Sequence, residues 1–63
     1  MKIGELRNLV DGDTMLWIET AEEEYLEAGE ADNLSHKYDD YDIGRMLVQH
    51  YPSMYTHGIT IQI

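Results

Sequence analysis

The sequence predicts a small α+β domain: a short N-terminal helix packed on a four-stranded, mainly antiparallel sheet, in the order α-β-β-β-β over residues 1–63. Three observations carry that expectation. Ile3, Leu6, Leu9 and Val10 recur at helical spacing near the start. Residues 14–20 (TMLWIET) are dense in β-branched and aromatic side chains, and residues 58–63 (GITIQI) alternate strictly between apolar and other positions.

The first helix should end before Asp11-Gly12, with Gly12 free to take the left-handed conformation that closes a helix. Two turns are unstable alone in water, so its apolar face must lie on a sheet. The strand at 14–20 places Leu16 and Ile18 on one face and Met15 and Trp17 on the other. One helix covers one face only. The Met15/Trp17 face is the expected one; the other reading leaves that face open, as the apolar half of an interface.

Residues 21–24 read as a polar turn and 24–30 (EYLEAGE) as a returning strand. AEEEYLEA also suits a helix, but Gly29 disfavours a long one, and the preceding strand needs a neighbour for its backbone groups. Residues 31–40 read as a loop with one turn pinned by Leu34. Residues 43–50 fit either a helix, with Ile43, Met46, Leu47 and His50 on one face, or a strand. Strand is favoured because the closing strand needs a hairpin partner across 51–57, where Met54 and Tyr55 are expected to be exposed.

At 63 residues without cysteine, the chain is one domain near the lower size limit for folding without a staple. Its 43% hydrophobic content, with Trp17 and five tyrosines, excludes an obligately disordered acidic tail. The start shows no signal-peptide apolar run, and no stretch approaches the roughly 20 apolar residues of a membrane span, so a cytoplasmic protein is expected.

The net charge of −9 is concentrated: ten of the thirteen acidic residues fall within 19–42, against the single base Lys37. Outside that block, Glu5, Asp11 and Asp13 are matched in number by Lys2, Arg7 and Arg45. Such a block destabilises the compact state by self-repulsion while creating a strong negative field. It disfavours direct contact with nucleic acid or anionic membrane and favours a basic protein partner.

Other chemistries find little support. Asp11-Gly12-Asp13 and Asp40-Tyr41-Asp42 are fragments of a calcium-loop spacing that neither completes. His36, His50 and His57 are too scattered for a zinc pattern. No metal, cofactor or catalytic residue is assigned, and a non-enzymatic protein is expected, because paired carboxylates need a cleft to separate their acidities. The candidate partner-binding residues are Glu22, Glu23, Glu24, Glu27, Glu30, Asp32, Tyr38, Asp39, Asp40 and Asp42. In an extended second strand, Glu22 with Glu24 and Glu23 with Glu27 would form carboxylate rows about 6.8 Å in repeat, a spacing suited to imitating phosphates. Interleaved tyrosines, Tyr25, Tyr38 and Tyr41, suit an arginine-rich partner.

The opening MKIGELRNLVDGDT, the apolar strand, the acidic hairpin ending in EYLEAGEADNL, the DYDI stretch and the closing GITIQI resemble the small acidic proteins of phages and prophages of Gram-positive bacteria. That group includes anti-CRISPR inhibitors of type II-A Cas9. The resemblance implies an inhibitor acting in the host cell that binds Cas9 or its guide RNA complex as a nucleic-acid mimic and blocks DNA or guide RNA. Cas9 reads its PAM with arginines and holds the heteroduplex in a basic channel, which agrees with an acidic ligand. The alternative is a phage-derived structural or assembly module, including a homodimer, using Trp17 and a free sheet edge without mimicry.

Overall fold

Residues 1–51 and 56–63 are described by a computed structural model, with side chains for 1–48 and 58–63. The expected positions of Pro52, Met54 and Tyr55 lie outside the described residues. Helix α1 spans Ile3–Arg7, followed by strands β1 (Met15–Glu19), β2 (Tyr25–Glu30), β3 (Arg45–Tyr51) and β4 (Thr56–Gln62). The helix-then-four-strands order is the expected one, and residues 43–50 are mostly strand.

The sheet order is β2-β1-β4-β3. Two antiparallel hairpins, β1–β2 and β3–β4, lie side by side and join through a parallel β1–β4 pair. The sheet is therefore mixed. β-Hairpins account for the antiparallel pairs, whereas the parallel pair needs the long return through β2, residues 31–44 and β3.

One face is the core. Rows run across the strands: Gly29–Leu16–Ile59–Val48 and Glu27–Ile18–Ile61–Met46. At their centre Leu16, Ile18 and Ile61 are buried with Ile3 and Leu6 of α1 and with Ala31 and Leu34 of the following loop. Helix α1 thus covers the Leu16/Ile18 face, not the Met15/Trp17 face expected from sequence. The reason is the partner strand: Ile59 and Ile61 pair with Leu16 and Ile18, so the continuous apolar surface lies there.

Helix α1 has only five residues. Glu5 Oε1 accepts a hydrogen bond from Lys2 N at 2.9 Å, steadying the first turn. Leu9, at helical spacing in the sequence, is 71% exposed because the chain has already left the helix. Gly12 is not left-handed, since no glycine has positive φ. Its small size serves close approach: an added Cβ would collide with the Asp32 carboxylate. Asp32 N donates to Gly12 O and Ala31 N to Thr14 O, so segments 11–14 and 31–32 are backbone neighbours.

Residues 31–44 are fixed to the start of the chain. Ile3 N donates to Tyr41 O, Gly4 N to Asp39 O and Ile43 N to Met1 O, with an isolated bridge between Lys2 and Asp42. No helix among the described residues is long and apolar enough to cross a membrane.

Candidate functional site

The acidic residues fall into three groups. The first is the β1–β2 turn. Thr20 Oγ1 accepts from Glu22 N at 3.2 Å and Glu24 N at 3.1 Å, while Glu23 N donates to Thr20 O. The threonine hydroxyl holds a local backbone turn, a habit that favours this residue type in such positions. Glu23 takes φ 67°, and Glu22, Glu23 and Glu24 are all exposed. These three belong to a turn, and β2 begins only at Tyr25, so the expected rows of alternating carboxylates are not formed.

The second group lies at the opposite end of the hairpin. Glu30 pairs with Met15, about 17 Å along β2 from Tyr25 at roughly 3.3 Å per residue. Glu30 Oε1 accepts from Asn33 Nδ2 at 3.3 Å, and Asp32 is exposed beside Gly12. The backbone pairing of 11–14 with 31–32 brings exposed Asp11 and Asp13 to the same end. Sequence counting had balanced those two against Lys2, Arg7 and Arg45. In space the bases go elsewhere.

The third group surrounds the start of α1. Arg7 Nη2 is 2.9 Å from Asp39 Oδ1, and the same guanidinium donates to the carbonyls of Leu34 and Ser35. Asp39 Oδ2 also lies 2.6 Å from His36 Nδ1. Lys2 Nζ is 3.6 Å from Asp42 Oδ1 and donates to Asp40 O at 3.0 Å. Tyr38 is half-buried against the core, with its ring edge-on to Tyr41 at 5.4 Å between centroids. Asp39 and Tyr38 therefore hold the loop, and Asp40 and Asp42 are exposed.

Glu27 is a loop-holding residue too. Its carboxylate accepts from Ser35 Oγ at 2.6 Å and from Ser35 N at 3.3 Å. It faces the core side because it pairs with Ile18; just beyond, a bulge sets Glu19 opposite Tyr25 and leaves Leu26 as the extra residue, packed on the core.

The second face of the sheet has no covering layer among the described residues. A row Ala28–Trp17–Thr60–Leu47 crosses it. Trp17 is 42% exposed and packs on the exposed Tyr25 ring at 4.8 Å between centroids. Glu19, buried beside it, accepts from Trp17 Nε1 at 2.9 Å and from Gln62 Nε2 at 2.7 Å. These residues, with Glu23, Arg45 and Leu47, border an open concavity of about 450 Å³. Glu23 thus joins the acidic turn to an aromatic surface, a link that depends on which face the helix leaves open.

Among the described residues no three His, Asp or Glu side chains converge to hold a metal ion. The chain matches no protein-family model, no curated protein and no solved structure.

Proposed function

We propose that the protein is a non-enzymatic binding module that engages a basic, arginine-bearing protein surface, and that type II-A Cas9 in the host bacterial cell is the first partner to test. The observation that supports it is the Glu22–Glu24 turn: three exposed carboxylates on a hydrogen-bonded turn, with no ion pair to any of them among the described residues. Beside them Trp17 and Tyr25 offer aromatic faces on which a guanidinium stacks, so charge and stacking favour arginine over lysine. The acidic mimic is accordingly narrower than a continuous phosphate-like row. It consists of the turn and its aromatic flank, with the Asp11/Asp13/Glu30/Asp32 end as a second negative pole that speeds encounter.

The test is binding to a Cas9–guide complex titrated with salt, with and without competing target DNA. Affinity should fall steeply as salt rises, and the triple variant Glu22→Gln/Glu23→Gln/Glu24→Gln should weaken it roughly tenfold or more. Absence of binding, or binding indifferent to both salt and the triple variant, rules the proposal out.

A further inference from the structure

We propose that two copies of this chain pair through the outer edge of β3, making one continuous eight-stranded sheet. Strand β3 lies at one edge of the sheet, and in an antiparallel ladder every second residue of an edge strand turns its N–H and C=O outward. Natural edge strands are usually protected by charge, proline or a covering segment. The described side chains of β3 are Arg45, Met46, Leu47 and Val48; the last three are exposed, Val48 at 81%.

The two core rows show why an occupant is missing there. Along Gly29–Leu16–Ile59–Val48 and Glu27–Ile18–Ile61–Met46, exposure is 0% at Leu16 and Ile61 but 45% at Met46. The layer made by α1 and residues 31–41 covers β1 and β4 and stops short of β3. The apolar rows run on past their cover.

Charge decides which edge two copies can share. Each copy carries −9, so two copies tolerate only a contact that keeps their acidic groups apart. Edge strand β2 contains Glu27 and Glu30 and is flanked by Glu24, whereas residues 45–51 (RMLVQHY) contain no acid. Pairing β2 with β2 would bring like charges within about 5 Å across the new ladder. Pairing β3 with β3 places the two β2 strands seven strand spacings apart, about 34 Å, well beyond the roughly 8 Å screening length at physiological salt.

A two-fold axis perpendicular to the sheet at mid-strand sets β3 antiparallel to its copy, with Val48 near the axis and both helix layers on the same side. Met46 and Val48 of the two copies then meet in the gap between those layers. The two Arg45 residues fall about 20 Å apart, at opposite ends of the new pair.

Sedimentation equilibrium of the intact chain tests this. The expected species is twice 7.3 kDa, held or strengthened as salt rises, the reverse of the salt response of binding through Glu22–Glu24. Val48→Lys should return the mass to 7.3 kDa even though it lowers the net charge, while Glu30→Gln on the far edge should leave the dimer intact. In the unaltered chain, amide hydrogen exchange in β3 should slow as concentration rises, a readout that does not depend on a variant folding. A monomer at every concentration up to millimolar overturns the proposal. So does a dimer that survives Val48→Lys and is broken instead by Trp17→Ala on the open face.

Discussion

Arg7 shows how one side chain can hold a whole loop in place. Its guanidinium binds two carbonyls of the loop after β2 and the carboxylate of Asp39, and its side chain is only 10% exposed. A lysine cannot reproduce that fork, because its single ammonium is a point donor. Arg7→Ala should therefore cost about 2–3 kcal/mol, most of the few kcal/mol available to so small a core, and Arg7→Lys should recover little of it in urea unfolding. Glu23 is the opposite case. Its left-handed backbone costs about 1 kcal/mol for a residue with a Cβ, so Glu23→Gly should leave the melting temperature unchanged or raise it, once the extra freedom of the unfolded chain is offset. Neither effect was visible in the sequence. Arg7 meets partners 27 to 32 positions away, and the turn geometry of Glu23 depends on Thr20 folding back on it. Counting charges sets Arg7 against the acids outside 19–42 in number only, whereas the fold gives it to Asp39.

At the scale of elements, alternation was a sound guide to where strands lie and a poor one to what they lie beside. GITIQI announced β4, and the need of β4 for a hairpin partner identified β3. Nothing in the local pattern could show that β4 would insert next to β1, since a period of two fixes the faces of a strand but not its neighbour. That pairing also decided which face α1 covers, and hence that Trp17 and Tyr25 stand at the surface. The acidic turn was legible in position, and so was the length of strand between it and Glu30; that Asp11 and Asp13 join Glu30 and Asp32 was not, because that end is built by backbone pairing of segments far apart in the chain. Ile61 sits at the junction of the two hairpins with no exposed surface. Ile61→Ala should cost about 3 kcal/mol and unfold much of the population, and Ile61→Val about 1 kcal/mol, both measurable by denaturant titration.

Over the whole molecule, charge is polarised across the sheet. The acidic turn, the Asp11/Asp13/Glu30/Asp32 end and β2 lie on the β1–β2 hairpin and its flanks, while the described part of β3 carries Arg45 and apolar groups. With ion pairs reaching only Asp39 and Asp42 among the described residues, most of the negative charge has no nearby compensation. Raising salt from a few millimolar to about 0.15 M should therefore raise the melting temperature, with the gain flattening once the screening length falls to about 8 Å. A melting temperature that falls over that range would show that favourable ion pairs outweigh repulsion.

The parallel contact at the centre of the sheet joins Met15 to Gly58 and Glu19 to Gln62, partners forty-three positions apart. Each hairpin can zip up by itself from nearby residues, and α1 with Ala31 and Leu34 can lie over Leu16 and Ile18, yet one edge of β1 has no partner until β4 arrives. On a ribosome, the β1–β2 half must wait with an edge of β1 unpaired and without Ile61 beside Ile18 until the last strand has left the exit tunnel, so this domain should complete its shape in one late step.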